Sequence, residues 1–264
     1  MAKDCKMTAL LTTDFHIPTF VVNMVKDIKK RNRIAEILDE FPMLDYNFVK
    51  AVEGKKLSTG DLEVLVDMCA FKNRYGHQAT LPAIGCSLSH IMIYKEVRKA
   101  EKPWLIIEDD ASLATDFYTQ LKPIYSWLLQ IDTPTVILLS PCFSYNKYMP
   151  KRFISGKSSV VDVVHGQMTS GYLLNPQAAS LLSDKLTPVR YLADDWDEMK
   201  KWGLNVLGVI PNLTDCPTEL GEIGLSQQVE IKKSDTLFNT ILSKLWFRIR
   251  VIFGLRYSNR SWQK

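Results

Sequence analysis

The chain has 264 residues, of which 46% are hydrophobic, 10% aromatic and 23% charged, as in a packed globular protein. A chain of this length buries about 70–75% of its unfolded surface, so its core does not depend on disulfides or a structural metal. The composition also excludes a collagen-like repeat, a coiled coil and a disordered chain, and the net charge of +4 is too small to indicate nucleic acid as a partner.

Strands and helices alternate along the first half of the chain. Short apolar, β-branched runs predict strands at 18–23, 46–52, 104–107 and 135–140. Apolar residues at helical spacing predict helices over 27–41, 61–75, 87–100 and 116–130. This alternation predicts an α/β domain with a mostly parallel central sheet. Phe20–Val22 and Trp104–Ile107 are wholly apolar, so we expect both strands in the centre of the sheet, covered on both faces.

The second half of the chain is more mixed. It contains three further apolar runs that predict strands, at 158–165, 171–174 and 204–210. A helix is predicted over 176–186, with Pro176 in its first turn. Neither an internal repeat nor a low-complexity linker occurs before residue 231. We therefore predict one domain over residues 1–231, followed by a separate tail over 232–264.

The cysteines and the N-terminal segment indicate a compartment. The five cysteines are scattered without metal-ligand or redox spacing, which is typical of reduced thiols in a cytosolic protein. The first residues lack the apolar stretch of a signal peptide, and no run reaches the about 20 apolar residues of a membrane span. We expect a cytoplasmic protein.

Three carboxylates, Glu108, Asp109 and Asp110, follow directly after the apolar run that begins at Trp104. In an open α/β sheet, ligands bind beyond the carboxyl ends of the strands. Adjacent carboxylates repel one another unless a cation lies between them, and such oxygen ligands suit Mg²⁺ or Mn²⁺ bound together with a diphosphate. The cluster therefore predicts a metal that neutralises a departing phosphate; the alternative is a solvated acidic turn.

Two further segments contain candidate catalytic or ligand-binding residues. Asp194, Asp195 and Asp197 form a second acidic group, in which one carboxylate could act as a general base or simply cap a helix. His90 ends the segment that starts at Gly85 and is expected in the first turn of a helix, where backbone amides favour an anion. The alternative for His90 is a structural histidine inside the domain.

Several segments, in this order, resemble glycosyltransferase family 25. This family comprises bacterial lipopolysaccharide and lipooligosaccharide glycosyltransferases and the collagen galactosyltransferases. The resemblance extends over roughly residues 18–227 and includes a Gly-Cys-x-x-Ser-His motif followed by Glu-Asp-Asp. The segments that carry it are Phe20–Arg33, Val49–Gly54, Ile84–His90, Leu105–Asp110, Gly171–Leu182 and Asp195–Asp197.

The resemblance implies a GT-A-like fold and inverting transfer of a hexose, galactose or glucose, from a UDP-sugar to a hydroxyl of a lipooligosaccharide or lipopolysaccharide core. It implies a Mn²⁺ or Mg²⁺ site at Glu108, Asp109 and Asp110, with Asp110 as the direct ligand. It also implies a set of donor-binding residues: Val22, Asn23, Ser89, His90 and Asp109. Asp195 matches the family's base and Asp197 is the second choice. Because Asp194 adds a carboxylate where the family usually has valine, the assignment of the base stays open by one position.

The tail is basic and amphipathic. From residue 232 onward there are eight basic residues against one acid, and apolar residues recur at helical spacing over 237–253. This pattern predicts a helix that binds an anionic membrane surface peripherally, at the inner membrane that anchors a lipooligosaccharide acceptor; the alternative is a helix packed on the domain. Two other functions stay open: a metal-dependent nucleotidyltransferase or phosphohydrolase, and a non-enzymatic peripheral membrane protein.

Overall fold

A computed structural model of the protein describes residues 15–146, 150–154 and 158–216, together with the backbone of 255–256. In these ranges, a large sheet separates two apolar core layers. Among the described helices, none is both long and apolar enough to cross a membrane.

The helices and strands are numbered here in chain order within the described ranges. The α-helices are α1 (Ile28–Asp39), α2 (Thr59–Leu65), α3 (Met68–Tyr75), α4 (Leu81–Val97), α5 (Phe117–Leu128), α6 (Pro176–Lys185) and α7 (Trp196–Lys200). The first six strands are β1 (Ile17–Asn23), β2 (Leu44–Lys50), β3 (Trp104–Glu108), β4 (Ser112–Leu113), β5 (Thr135–Leu138) and β6 (Cys142–Asn146). The others are β7 (Arg152–Phe153), β8 (Ser159–Gly166), β9 (Gly171–Leu174), β10 (Asn205–Ile210), β11 (Thr214–Asp215) and β12 (Leu255–Arg256).

The main sheet has the strand order β12-β6-β8-β10-β5-β9-β3-β1-β2, and β7 pairs with β8 at its side. β1 is parallel to β2 and β3, and β5 is parallel to β10, whereas β9 lies antiparallel between β3 and β5. From β2 to β10, therefore, every strand except β9 runs in the same direction. This confirms the predicted α/β domain with a mostly parallel central sheet, and the arrangement fits a GT-A-like fold.

Both apolar runs lie in the centre of this sheet, as predicted. Val21 and the run Leu105–Ile107 have no solvent exposure. Side chains of consecutive residues point to opposite faces of a strand, so Ile106 packs in one core layer while Leu105 and Ile107 pack in the other. Continuous burial on two faces explains why these strands show no alternation of polar and apolar residues.

Two helices differ from the prediction. α4 starts at Leu81, six residues earlier than expected, because the side chain of Thr80 caps it and Pro82 lies in its first turn. The expectation that His90 lies in the first turn is therefore wrong, since His90 lies in the middle of α4. The helix predicted over 61–75 is divided into α2 and α3, because the chain is extended at Val66, which forms a bridge with Val189.

A close approach of two glycines fixes α4 against the loop that follows β2. A Cβ atom on Gly85 would lie 2.4 Å from the carbonyl oxygen of Val52 and 2.8 Å from the backbone nitrogen of Gly54. We expect Gly85→Ala to lower the free energy of unfolding by about 1–3 kcal/mol, because backbone atoms must move apart. Urea unfolding measures this loss. Gly60→Ala is the matched control, since its nearest neighbour would be Ser58 Oγ at 3.9 Å, and equal stability of the two variants would contradict the prediction.

Most of the predicted tail lies outside the described residues, including the helix expected over 237–253. The described pair Leu255–Arg256 forms β12, which pairs antiparallel with β6 at the edge of the sheet. The tail helix and its membrane contact stay predictions.

Candidate active site

Four segments converge beyond the carboxyl ends of β1 and β3. The backbone nitrogen of Asp109 donates to the carbonyl of Val22 at 3.0 Å, which joins the end of β3 to the end of β1. The backbone nitrogen of Glu108 donates to the carbonyl of Ser170 at 3.2 Å, which brings the segment before β9 to the same edge. The loop before α7 completes the group through Asp194. This edge is where open α/β sheets bind their ligands.

Asn23 and Asp109 face each other across β1 and β3. The Asn23 side-chain amide donates to Asp109 Oδ2 at 2.7 Å, and both residues are buried. Burial raises the pKa of Asp109 above its ordinary value, and this hydrogen bond offsets only part of the shift. The sequence prediction that the end of β1 and the acidic cluster share one site thus agrees with their placement.

Asp110 is the most strongly perturbed carboxylate of the cluster. Burial, followed by the negative charge of Glu108, raises its pKa to about 6, while Lys30 and the thiol of Cys216 act in the opposite direction. Lys30 Nζ lies 3.7 Å from Asp110 Oδ2. Asp110 Oδ1 is buried and accepts no hydrogen bond at good geometry from the described residues. A buried carboxylate oxygen in a negative surrounding is the condition under which a bound cation is most stabilising, so Asp110 fits a divalent metal.

Glu108 is oriented by a buried polar network rather than by solvent. His90, with 1% exposure, places Nε2 3.3 Å from Glu108 Oε1 and Nδ1 2.7 Å from the hydroxyl of Tyr172, which contacts Tyr94. The hydroxyl of Thr169 donates to the same Glu108 oxygen. Burial acts to raise the pKa of Glu108, but the contacts with His90 and Thr169 outweigh it and lower that pKa. His90 therefore positions Glu108.

Cys86 belongs to this network, a role that sequence reasoning missed. Cys86 and His90 lie one turn apart on α4, and together with Glu108 they place three potential ligand atoms within 4.8 Å of one another. Among the described residues, this is the one group of His, Cys, Asp and Glu side chains whose ligand atoms lie close enough together to hold a metal. However, Tyr172 and Thr169 already engage His90 and Glu108, whereas Asp110 Oδ1 has no hydrogen-bond partner within the described ranges. The i, i+4 spacing of Cys86 and His90 is the signal that could have found the pair.

Asp195, predicted as the base, is held by ionic and hydrogen bonds. Arg74 binds it through two nitrogens, Nε to Oδ2 and Nη2 to Oδ1, each at 2.9 Å. The Tyr75 hydroxyl donates to Oδ2 at 2.6 Å, and the backbone nitrogen of Glu198 donates to Oδ1 at 3.2 Å. This last bond makes Asp195 the N-cap of α7, while its role as a base stays a prediction.

Asp194, by contrast, lies near enough to Glu108 to feel its negative charge. Its Oδ2 accepts a hydrogen bond from the backbone nitrogen of Met168 at 3.1 Å. Burial raises its pKa, and the negative charges of Glu108 and Asp195 add to that shift. Met168 has a positive φ of 74°, uncommon for a side-chain-bearing residue, and its carbonyl accepts a hydrogen bond from the buried Trp196.

Asp197 lies on the exposed side of α7. It contacts Nδ1 of His165 and lies 2.9 Å from Lys200 Nζ. Although burial acts to raise its pKa, these two partners lower it below the ordinary value. The Asp197 carboxylate is therefore a weaker proton acceptor than Asp194.

Two of the predicted donor-binding residues have other contacts. The buried hydroxyl of Ser89 donates to the carbonyl of Gly85 at 2.7 Å and accepts from the backbone nitrogen of Val52 at 2.8 Å. These bonds join α4 to the loop after β2, and donor binding by Ser89 stays a prediction. Likewise, His90 cannot bind an anion at a helix N-terminus, because it lies in the interior of α4 with both ring nitrogens engaged.

Comparison with known proteins adds an independent finding. A family model described as "Glycosyltransferase family 25 (LPS biosynthesis protein)" matches residues 16–196, which include the acidic cluster, the His90 network and Asp194. Procollagen galactosyltransferase 2 of Homo sapiens is 26% identical over 199 residues, covering 69% of this chain and 32% of the relative. A glycosyltransferase 25 family member of Drosophila pseudoobscura pseudoobscura is 26% identical over 250 residues, covering 85% of this chain and 39% of the relative.

Procollagen galactosyltransferase 1 of Danio rerio is 25% identical over 169 residues, covering 62% of this chain and 28% of the relative. This chain therefore spans about a third of the length of these curated relatives.

Proposed function

Because the chain belongs to glycosyltransferase family 25, we propose that it is an inverting glycosyltransferase that moves a hexose from a UDP-sugar to a hydroxyl of an acceptor glycan. The observation that carries this proposal is the convergence of buried, mutually repelling carboxylates beyond β1 and β3, within the segment that matches the family. Galactose is the favoured hexose, because two of the relatives named above are galactosyltransferases; glucose is the alternative.

We assign the metal to Asp110, assisted by Glu108 or Asp109. When bound, Mn²⁺ or Mg²⁺ acts as a Lewis acid that neutralises the diphosphate of the leaving nucleotide. The unpaired oxygen and raised pKa of Asp110 support its role as the direct ligand. Asn23 orients Asp109 toward the donor, and Val22 lies on the strand beneath the nucleotide. Lys30 adds a positive charge beside the diphosphate.

In the proposed reaction, a carboxylate accepts the proton of the acceptor hydroxyl. The acceptor oxygen then forms a bond to the anomeric carbon as the bond from that carbon to the diphosphate breaks, so a single displacement inverts the configuration. We place the base on Asp194, because it lies near Glu108 and burial raises its pKa. The four hydrogen bonds of Asp195 and the lowered pKa of Asp197 make both weaker candidates.

The proposed acceptor is a sugar of a lipooligosaccharide or lipopolysaccharide core, as the description of the family suggests. Such acceptors are lipid-anchored, so we place the protein in the cytoplasm, peripherally bound to the inner membrane.

A donor screen tests the proposed function. We expect UDP-galactose or UDP-glucose to be hydrolysed slowly in Mn²⁺ or Mg²⁺, releasing UDP, and to give a glycosylated product when a core oligosaccharide is added. Release of UMP or inorganic phosphate instead would indicate a nucleotidyltransferase or phosphohydrolase. If no UDP-sugar binds in thermal-shift or NMR titrations, the proposed donor is wrong.

The basic tail is tested separately. We expect the full chain to co-sediment with vesicles containing anionic phospholipid at low salt and to be released at high salt, because each basic residue contributes about 1 kcal/mol at such a surface. A chain ending at residue 231 should not bind. Equal binding of the two proteins, or binding of neither, would refute the peripheral membrane role without affecting the proposed transfer reaction.

A further inference from the structure

The loop between β8 and β9 connects the acidic cluster to a second, more exposed group of side chains. One segment, residues 165–169, makes three successive contacts with the site: Thr169 with Glu108, Met168 with Asp194, and His165 with Asp197. His165 is thus three residues from Met168, which contacts the proposed base Asp194.

An exposed aromatic ring lies beside this histidine. Phe143 is 40% exposed, and its ring centroid is 5.6 Å from that of His165, with the ring planes 43° apart. The two residues are neighbours across the β6–β8 pair, where Ser144 lies opposite His165. The side chain of His165 is itself 43% exposed. An apolar ring face and a polar ring edge are thus presented together to solvent.

His165 is fixed in place by buried and charged partners. Its Nδ1 contacts Asp197, and Lys200 holds Asp197 while contacting the backbone carbonyls of Val163 and Val164. Among the described residues, His165 Nε2 makes no hydrogen bond. A histidine held through Nδ1 presents Nε2 to a ligand in a defined orientation.

We infer that Phe143 and His165 form the subsite for the acceptor sugar, with the pyranose ring packed on Phe143 and one hydroxyl hydrogen-bonded to His165 Nε2. A pyranose presents an apolar face of C–H groups and an edge of hydroxyls, which matches an exposed aromatic ring beside a fixed polar group. Its reacting hydroxyl would then lie toward Asp194, since residues 165–169 carry both His165 and the contact of Met168 with Asp194. This inference rests on the proposed function and specifies the site at which the acceptor binds.

Saturation-transfer NMR tests the subsite on the full chain in the presence of UDP and Mg²⁺, with methyl β-galactopyranoside and methyl β-glucopyranoside as probes. We expect signals from at least one glycoside with the wild-type protein. In Phe143→Leu, glycoside affinity should fall about three- to tenfold, as expected for the loss of one aromatic contact, while UDP binding is unchanged. His165→Ala should weaken the glycoside signals in the same way.

Phe153→Leu is the matched control. Phe153 is 76% exposed and pairs with Ser159 at the opposite end of β8, so its loss should leave the glycoside signals unchanged. Absence of glycoside signals in the wild type, or equal signals in Phe143→Leu and Phe153→Leu, would overturn the subsite. A wild-type protein that binds neither UDP nor a UDP-sugar would instead contradict the proposed function.

Discussion

Replacing Asp110 by asparagine is expected to lower hexose transfer by at least about 10³-fold, because a metal at this position supplies several kcal/mol of transition-state stabilisation. The same change should raise the melting temperature of the metal-free protein. The amide is uncharged, so it removes the repulsion from Glu108 and the cost of a buried charge that together raise the pKa of Asp110 to about 6.

The sign of the pH dependence follows from that pKa. The folded-state pKa of Asp110 lies above the unfolded value of about 3.9, so the folded protein binds the proton more tightly. The resulting stability is fully present below about pH 4 and is lost as the pH rises through about 6. Asp110→Asn should remove this loss, which amounts to about 2–3 kcal/mol at pH 7. Thermal unfolding between pH 4 and 8, without metal, measures the difference.

Metal binding gives a second readout for Asp110. We expect Mn²⁺ to raise the melting temperature of the wild type and to leave that of Asp110→Asn unchanged, since a ligand stabilises only the state that binds it. Asp45→Asn is a suitable control, because Asp45 is an exposed acid on β2 outside the site. Full transfer activity in EDTA would refute the metal role. So would a rise in the melting temperature of Asp110→Asn with Mn²⁺ as large as that of the wild type.

The sequence predicted the positions of the acidic residues better than their roles. Phe20–Val22 and Trp104–Ile107 are wholly apolar, and such runs are buried only in a central strand that is covered on both faces. A central strand that ends at Ile107 places Glu108 at the carboxyl edge of the sheet. The predicted start of α4, at residue 87, is six residues too late, since Gly85 lies inside the helix. Its real function is to allow close contact with the loop after β2, which depends on residues about 30 positions away in sequence.

Contacts between distant segments explain why other roles predicted from the sequence differ from those in the structure. Nothing near Asp195 in the sequence shows that Arg74, on α3, holds it with two hydrogen bonds. Likewise, the partnership of His90 with Tyr172 depends on β9 lying antiparallel beside β3, a pairing that the alternation of strands and helices does not predict. Local patterns therefore identify which residues carry charge, whereas tertiary contacts decide which of them are available to a ligand.

The base assignment has the second large expected effect. We expect Asp194→Asn to lower kcat by about 10²–10⁴-fold, the usual contribution of a general base, and to leave UDP-sugar binding unchanged. The melting temperature should not fall, because the asparagine side chain can still accept the hydrogen bond from Met168. Since burial, Glu108 and Asp195 raise the pKa of Asp194, the acid limb of the wild-type rate profile should lie above the ordinary range of an aspartate.

Asp195→Asn distinguishes a base from a structural carboxylate, because Asp195 is adjacent to Asp194 but has different hydrogen-bond partners. Removing the charge of Asp195 weakens its pair with Arg74, so we expect a loss of about 1–3 kcal/mol in unfolding free energy. The loss of kcat should be smaller than in Asp194→Asn, and Arg74→Met should reproduce both effects because it breaks the same pair.

If Asp194→Asn retains full kcat while Asp195→Asn or Asp197→Asn loses it at unchanged stability, the base lies at that other aspartate. Acceptor-dependent initial rates and urea unfolding of the same preparations decide between these outcomes, since a base affects the rate alone and an N-cap affects the stability first.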